Sequence, residues 1–317
     1  MTDFNEAGAV ALGQYLQSRH YRFTTVTPAT HASYLTRHRT GHSLRDIFGW
    51  NLPFKPEVLR EDELQIFGDS GVIAEVKVGA TDSHCLCSKV RYSTAGPLLL
   101  MHSGYPTREV DSVFFGPDTY RFLSFLNRYT GPMQACRRIL DVGTGSGAAA
   151  LMLAQQFSEA TVTASDINTR ALTFAGINAQ LASLENVELV YSNLYSALDG
   201  DFDLIVANPP YLLDVEERSY RHGGGAFGEG LAYSIVEGAL SRLAPGGTLL
   251  LYTGVAMVCG RDPFYEKVID LLAGHGYQWR YEEIDPDVFG EELMETHYRQ
   301  IERIAAVGLV VKRQGGL

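Results

Sequence analysis

The chain has 317 residues, of which 45% are hydrophobic and 20% are charged, an ordinary globular composition with room for one large domain and a smaller one. No apolar run approaches the roughly 18 to 20 residues that cross a bilayer. The N-terminal MTDFNEAGAV also lacks a basic region before an apolar one. We therefore expect a cytoplasmic protein with no signal peptide and no membrane partner. The net charge of −11 argues against a surface that attracts nucleic acid over its whole area.

In the first third of the chain, the hydrophobic pattern changes once, from helical to strand-like periodicity. Residues 4–64 show interrupted helical periodicity, within which Ser43 is placed to cap a short helix. Residues 71–115 instead show the alternation of half-buried strands. We therefore predict a small N-terminal α+β domain over residues 1–111, of winged-helix type.

The charge of this N-terminal part is uneven. From Ala7 to Arg45 there is no Asp or Glu, whereas almost all of the net negative charge follows residue 115. The same stretch contains five arginines: Arg19, Arg22, Arg37, Arg39 and Arg45. Such a stretch would suit phosphate contacts with RNA. The alternative is that these arginines pair with acidic side chains of the second part of the chain.

Cysteine usage gives no indication of a metal. The spacing includes one C-x-C pair and no C-x-x-C pair, so it indicates neither a zinc site nor a redox pair. We expect free thiols and no bound metal. The cysteines are Cys85, Cys87, Cys136 and Cys259.

The pattern becomes regular from about residue 116. Apolar strand segments alternate with helical segments, which include predicted helices from Ser146 to Phe157 and from Asn168 to Leu181. This alternation predicts a parallel sheet with helices on both faces, in a second domain over residues 112–317. Ligands of such sheets bind beyond the carboxyl ends of the strands, so functional residues should directly follow each strand.

The stretch LDVGTGSG ends the first of these strands. Asp141 closes the strand, and Gly143, Gly145 and Gly147 follow it before a helix. Glycines at these places allow a tight turn and let the backbone approach a ligand closely. The spacing alone is weak evidence, because dinucleotide-binding folds use G-x-G-x-x-G, and a tight turn without a ligand would also explain it.

Polar residues also end the next two strands. Asp166 lies 21 residues after Gly145, where a carboxylate can accept hydrogen bonds from both hydroxyls of a ribose. Its alternative role is to cap the following helix. Asn193 and Leu194 would contact an adenine ring, and the alternative for Asn193 is an ordinary turn position.

The stretch ANPPY ends the fourth strand. Pro209 and Pro210 cannot continue a sheet ladder, because proline has no N–H to donate. They follow Asn208 and precede Tyr211, so an amide, two rigid residues and an aromatic ring meet at one strand end.

These four motifs, in this order, resemble those of class I S-adenosylmethionine-dependent methyltransferases. The tetrapeptide NPPY resembles that of the branch that methylates amino or amide nitrogens, including the HemK-like glutamine methyltransferases and the adenine- or guanine-amino methyltransferases of RNA and DNA. FFGPDTYRFL (114–123) and RHGGGAFGEGL (221–231) resemble the segments that flank the core of HemK-like enzymes. The resemblance covers roughly residues 112–317. It implies a Rossmann-like, seven-stranded sheet.

The resemblance also implies roles for individual residues. Asn208, Pro209 and Tyr211 would be catalytic. The cofactor S-adenosyl-L-methionine would be bound by Thr119, Asp141, Gly143, Gly145, Gly147, Asp166, Ile167, Asn193, Leu194 and Asn208. Many relatives carry Asp in place of Asn193, and an amide at that position can still contact adenine.

The chemistry of a planar nitrogen agrees with these roles. The lone pair of an exocyclic amine or carboxamide is delocalised, and two acceptors that hold its two hydrogens favour charge developing on the nitrogen. The side-chain carbonyl of Asn208 and the backbone carbonyl of Pro209 would be these acceptors. Tyr211 would stack on a flat acceptor group.

The sequence therefore predicts an N-methyltransferase whose acceptor is an RNA base amine or a protein glutamine, selected by residues 1–111. A small-molecule N-methyltransferase and a non-catalytic S-adenosylmethionine-binding protein are alternatives. An NAD-dependent oxidoreductase is disfavoured by the glycine spacing and leaves NPPY unexplained. Five glycines from Gly223 to Gly230 suggest a mobile loop that gates the site, and plain surface flexibility is the alternative. The acidic segment with Glu291, Glu292 and Tyr298 suggests a helical insertion, for which a solvated face is favoured over a place at the substrate entrance.

Overall fold

The computed structural model describes residues 5–78, 83–107, 109–133, 135–214, 218, 220–273 and 276–315. Short polar side chains cap several of its helices: Thr27 caps the helix that begins at Pro28, Ser43 the one that begins at Leu44, as predicted, Asn168 the one at Thr169 and Asp262 the one at Pro263. The helices are α1 (Glu6–Ser18), α2 (Pro28–Arg37), α3 (Leu44–Phe48), α4 (Glu61–Ser70), α5 (Pro117–Thr130), α6 (Ala148–Gln156), α7 (Thr169–Leu181), α8 (Gly230–Leu240) and α9 (Pro263–Leu272).

The strands form one large sheet and two hairpins. The strands are β1 (Ile73–Val78), β2 (Ser83–Ser88), β3 (Val90–Ala95), β4 (Leu98–Ser103), β5 (Arg138–Val142), β6 (Thr161–Asp166), β7 (Val187–Tyr191), β8 (Phe202–Ala207), β9 (Leu243–Met257), β10 (Tyr277–Asp285) and β11 (Arg303–Arg313). Among the described residues, seven strands pair in the order β10-β11-β9-β8-β5-β6-β7. The pairs from β9 to β7 are parallel, whereas β11 is antiparallel to both β9 and β10. The predicted seven-stranded α/β fold is confirmed.

Successive residues of the central strands enter different cores, as the two-residue period of a strand requires. Ile139 packs with α5 and α6 on one face of the sheet, and Leu140 packs with α8 and α9 on the other. Leu204 and Ile205 of β8 alternate in the same way. The parallel part of the sheet is therefore covered on both faces, and its polar residues are found at the ends of its strands.

The N-terminal part contains α1 to α4 and the hairpins β1–β2 and β3–β4, in agreement with the predicted change from helices to strands near residue 71. Its core is shared with the large sheet's own helix α7. Leu12 of α1 and Tyr92 of β3 lie in one apolar cluster with Phe174 and Ile177 of α7. The boundary near residue 111 and the winged-helix class remain predictions.

Asn178, a fully buried residue of α7, joins these two parts by hydrogen bonds. Its Oδ1 accepts from the backbone N–H of Met101 at 2.7 Å, and its Nδ2 donates to the carbonyls of Met101 at 3.0 Å and of Ser146 at 2.8 Å. One side chain thus links β4 of the N-terminal part to the loop after β5.

The segment between β10 and β11, expected to be a helical insertion, contains two short 3₁₀ helices, Gly290–Met294 and Thr296–Tyr298. All four cysteines are free, as expected. Within the described ranges, no helix has the length and apolar character that a membrane span needs, and no group of three or more His, Cys, Asp or Glu side chains is arranged to hold a metal ion.

Candidate active site

A cavity of about 340 Å³ lies at the carboxyl ends of β5, β6, β7 and β8. It collects nearly all of the residues that the sequence predicts for the site. The predicted residues that line it are Thr119, Asp141, Gly143, Gly145, Asp166, Ile167, Asn193, Leu194, Asn208, Pro209 and Tyr211. Gly147 is the predicted residue that is absent from the lining.

The glycine loop after β5 has a left-handed backbone at each predicted glycine. The φ angles are +71° at Gly143, +55° at Gly145 and +81° at Gly147, values that favour glycine. A Cβ atom added to Gly143 or Gly145 would meet no heavy atom within 4 Å, so the backbone is open on that side. A Cβ at Gly147 would lie 3.1 Å from the Cβ of Ala175 in α7, so this glycine permits close helix packing.

The buried side chain of Asp141 fixes the conformation of this loop by hydrogen bonds. The carboxylate is 1% exposed, and its Oδ2 accepts hydrogen bonds from Thr144 Oγ1 at 2.7 Å and from the backbone N–H of Ala150 at 3.1 Å. Burial raises the pKa of Asp141 to about 6. Its visible role is to fix the turn between β5 and α6, while it also lines the cavity.

Asp166 braces the same loop from the neighbouring strand. Its Oδ2 accepts from the backbone N–H of Gly145, and its Oδ1 accepts from the backbone N–H of Asn168, both at 2.9 Å. Burial raises the pKa of Asp166. The alternative that Asp166 caps α7 is wrong, because the cap is Asn168, whose side chain accepts from the N–H of Arg170. Each carboxylate oxygen has a second lone pair with which to bind a ligand.

The end of β7 supplies the next part of the wall. Leu194 has a φ of +50°, and Ser192 Oγ donates to its carbonyl at 2.8 Å, which holds this unusual turn. Ile167 is 49% exposed at the neighbouring strand end. Exposed apolar side chains beside a cavity suit contact with a flat ring.

The NPPY segment follows β8 on the side of the cavity opposite to β6, since β8 and β6 flank β5. Asn208 is half-buried, Pro209 is buried, and both line the cavity. Thr119 approaches from the first turn of α5, where its Oγ1 accepts from the N–H of Gly116 at 3.3 Å. The two acceptors proposed from the sequence, on Asn208 and Pro209, thus border the same space as the glycine loop.

Tyr211 is anchored by Asp118, a residue that the sequence analysis did not single out. The hydroxyl of Tyr211 donates to Oδ2 of Asp118, and the hydroxyl of Tyr252 donates to Oδ1 at 2.9 Å. Asp118 is 3% exposed, and burial raises its pKa to about 6. Asp118 directly precedes Thr119 in the quoted segment FFGPDTYRFL, so its position was the available signal.

The glycine-rich segment after NPPY packs tightly against it. A Cβ at Gly223 would lie 2.7 Å from the Cα of Tyr211, and one at Gly228 would lie 2.1 Å from the carbonyl oxygen of Tyr211. The backbone N–H of Gly223 also donates to the carbonyl of Leu212 at 2.9 Å. Close backbone packing therefore explains these glycines, and gating by the segment remains a prediction.

Charged and aromatic side chains surround the outer part of the cavity. Arg221 pairs with Glu292, and its Nε lies 3.7 Å from Oδ1 of Asp214. Hydrogen bonds from Arg218 lower the pKa of Asp214. Glu291 and Glu292 both line the cavity, as expected if this acidic segment lies near its entrance.

The fold and these strand-end residues are similar to those of class I methyltransferases, which bind S-adenosylmethionine. Residues 122–257 match the family model described as methyltransferase small domain. The crystal structure of Methanocaldococcus jannaschii Trm5 in complex with adenosine has a TM-score of 0.50 and 15% identity, and covers 72% of this chain and 57% of that chain. A likeness at this identity concerns the fold alone.

Two curated relatives carry names that describe an activity. The release factor glutamine methyltransferase of Deinococcus radiodurans is 42% identical over 124 residues, which covers 36% of this chain and 44% of that protein. The ribosomal protein uL3 glutamine methyltransferase of Neisseria meningitidis serogroup A is 36% identical over 126 residues, which covers 36% of this chain and 42% of that protein. This chain spans between 42% and 59% of the length of the first curated relatives that it matches.

Proposed function

We propose that this protein is an S-adenosylmethionine-dependent N-methyltransferase and that its acceptor is the side-chain amide of a protein glutamine. The observation that carries the proposal is that Asn208, Pro209 and Tyr211 line the same cavity as the glycine loop and Asp166. The names of the two relatives support an amide acceptor. A release factor or ribosomal protein as acceptor would place the reaction in the cytoplasm.

The cavity suits the cofactor on chemical grounds. The open backbone at Gly143 and Gly145 would admit the methionine part, and the free lone pairs of Asp166 would accept the two ribose hydroxyls. Asn193 and Leu194 would contact the adenine. When bound, S-adenosylmethionine supplies an electrophilic methyl group on a sulfonium.

The residues of the NPPY segment would orient the acceptor. The side-chain carbonyl of Asn208 and the backbone carbonyl of Pro209 accept the two amide hydrogens, which aims the nitrogen at the methyl group and favours its developing charge. The ring of Tyr211 provides an apolar wall beside the planar amide. No strong base is required beforehand, because the nitrogen becomes acidic once it carries the methyl group.

The direct test is transfer of radiolabelled methyl from S-adenosylmethionine to three separate preparations: purified release factors, extracted ribosomal proteins, and RNA freed of protein. We expect the label in protein, and we expect acid hydrolysis to release it as methylamine, because hydrolysis of an N-methyl amide frees the amine. Asn208→Ala protein is the matched control and should transfer roughly 10²- to 10³-fold more slowly. Label confined to RNA would refute the glutamine acceptor, and absence of transfer to all three would refute the proposed acceptor classes.

We also propose that residues 1–111 select the acceptor. Its five arginines, Arg19, Arg22, Arg37, Arg39 and Arg45, are all exposed, and none forms an ion pair with any residue that the structure describes. Pairing with the acidic part of the chain, the alternative explanation, has no support in these contacts. The helix α2 begins at Pro28, which lines the cavity, and ends at Arg37, one of these arginines.

If RNA accompanies the acceptor, Arg37→Ala/Arg39→Ala should flatten the dependence of RNA affinity on salt by up to about two charges. The matched control is Arg137→Ala/Arg299→Ala, which removes two exposed arginines of the second part that form no ion pair with a described residue. Equal salt slopes for both double variants would argue against an RNA contact.

A further inference from the structure

Asp118 connects Tyr211 of the NPPY segment to the central sheet by hydrogen bonds. It lies in the first turn of α5 and accepts one hydroxyl hydrogen on each carboxylate oxygen, from Tyr211 on Oδ2 and from Tyr252 of β9 on Oδ1. Arg121 Nη1 lies 3.3 Å from the same Oδ1, and Arg121 Nε pairs with Asp285 at 2.9 Å. A buried carboxylate is thus supplied with three donors, which offsets the cost of removing its charge from water.

The ring of Tyr211 has little freedom around this anchor. A Cβ added to Gly254 of β9 would lie 2.1 Å from Cε2 of the ring, so Gly254 is in direct contact with one part of it. Phe289 meets the ring edge-to-face, with the centroids 5.8 Å apart. Packing therefore restricts the ring, and the hydrogen bond to Asp118 fixes where its hydroxyl end points.

We propose that Asp118 is a positioning residue for the transfer reaction: by holding the hydroxyl of Tyr211, it fixes the acceptor side of the NPPY segment. The inference rests on the proposed function and deepens it. Asp118 acts through Tyr211, which is three residues from Asn208 and lines the same cavity. Methyl transfer needs the acceptor nitrogen in line with the methyl group, so a small displacement of this segment lowers the rate of the chemical step.

The geometry explains why a carboxylate is needed at this position. Tyr211 and Tyr252 donate to different oxygens of Asp118. An asparagine has the same shape but replaces one of these acceptors with an NH₂ donor, which would face a hydroxyl hydrogen. Asp118→Asn therefore breaks the arrangement without creating a cavity, and the smaller change Tyr211→Phe removes only the hydroxyl.

The first test is a double-mutant cycle on single-turnover methyl transfer to whichever protein preparation wild-type enzyme methylates. We expect Asp118→Asn to lower kcat by about 10- to 100-fold, the range implied by loss of a charge-assisted hydrogen bond. Binding of S-adenosylhomocysteine should be unchanged. Tyr211→Phe should lower kcat to a similar degree, and the double variant should be no slower than the slower single variant. Tyr252→Phe, which shares the carboxylate but lies outside the motif, should have a smaller effect.

A second test requires no acceptor. Protein containing 3-fluorotyrosine gives ¹⁹F resonances, and the one that disappears in Tyr211→Phe belongs to Tyr211. We expect it to shift with a midpoint near pH 6 in the wild type, as Asp118 titrates, and to lose this shift in Asp118→Asn. The groups that face Asp118 are Tyr211, Tyr252, Arg121 and, through Arg121, Asp285.

The outcomes are distinguishable. If wild-type protein methylates none of the preparations, the proposed function fails, and the resonance of Tyr211 still decides whether Asp118 controls it. If the wild type is active and Asp118→Asn keeps its kcat, the positioning role is refuted and the proposed function stands. Losses that add in the double variant, or a Tyr211 resonance with the same pH response in Asp118→Asn, would also overturn the role.

Discussion

The two halves of the cavity are assembled in different ways. The cofactor half, formed by Asp141–Ser146, Asp166 and Asn193, consists of residues at the ends of consecutive strands, and Asp166 holds the glycine loop through the backbone N–H of Gly145. The acceptor half consists of Asn208–Tyr211, Asp118 and Phe289, which come from distant parts of the chain: Asp118 and Tyr211 are 93 residues apart. A local motif thus defines the first half, and long-range packing defines the second.

This difference leads to separate expectations for the two halves. Changes in the cofactor half should alter cofactor affinity or the stability of the loop, whereas changes in the acceptor half should alter the rate of transfer. Each half contains one buried carboxyl group whose pKa is raised to about 6, Asp141 in the first and Asp118 in the second. A variant in the cofactor half that slows transfer while leaving cofactor affinity and loop stability unchanged would contradict this division. So would a variant in the acceptor half that weakens cofactor binding.

The largest effect should come from Asp166→Ala. Two charge-assisted hydrogen bonds to the ribose, each worth about 1.5 to 3 kcal/mol, would be lost together. Calorimetry with S-adenosylhomocysteine should show affinity weakened by roughly 3 to 6 kcal/mol. Tyr211→Phe protein, changed on the other side of the cavity, is the control. Unchanged affinity in Asp166→Ala, or tight binding of NAD by the wild type, would reject the assignment of this half.

Asn208→Ala should have the next largest effect and should act on the chemical step. Removing one preorganised contact to a developing charge costs on the order of 3 to 4 kcal/mol in transition-state stabilisation. Single-turnover rates on the protein acceptor measure this loss, and affinity for S-adenosylhomocysteine should be spared. A rate close to that of the wild type would remove Asn208 from its assigned role.

The raised pKa of Asp141 predicts how the free energy of unfolding changes with pH. Its folded-state pKa of about 6 lies above the ordinary value, so between roughly pH 4 and pH 6 the folded state binds more protons than the unfolded state. The free energy of unfolding should therefore fall by about 2 kcal/mol as the pH rises through this window. Asp141→Asn should lose this part of the dependence. Denaturant unfolding of both proteins across the window is the measurement, and parallel curves would contradict it.

The smallest effect concerns Gly147, which the sequence analysis assigned to cofactor binding. Gly147→Ala places a side chain at φ +81°, which costs about 1 to 2 kcal/mol, and sets its Cβ 3.1 Å from that of Ala175. Gly246 is a matched control, because its φ is +82° and an added Cβ there meets nothing within 4 Å. Thermal unfolding should show the larger loss for Gly147→Ala. Equal losses would mean that contact with α7 is unimportant.

The sequence predicted well which strand-end residues line this half of the cavity, because its signals are local. Glycines at Gly143 and Gly145 mark a left-handed turn, and the alternation of strands and helices brings Asp166 and Asn193 to the same edge of the sheet. These inferences require only the secondary structure and the rule that parallel strands end together. The position of Asn208 followed from the same rule.

The acceptor half was harder to predict, because its contacts depend on tertiary packing. Nothing in the local pattern pairs Asp118 with Tyr211, and a glycine-rich segment looks the same whether it moves freely or packs closely against another backbone. The contacts of Gly223 and Gly228 with Tyr211 become visible only in the fold. Burial of Asp118 has the same origin, since its carboxylate is covered by Tyr211 and by Tyr252 of β9, which are distant in the sequence.

The shared packing of α7 limits how this protein can be divided. One face of the helix completes the apolar core of the N-terminal part, and its Asn178 holds both Met101 and the carbonyl of Ser146 in the glycine loop. A recombinant fragment that begins after residue 111 would expose Phe174 and Ile177 to water and leave Asn178 without its partners on β4. The region that we propose selects the acceptor is therefore not an exchangeable module, and any replacement for it would have to fit the same face of α7.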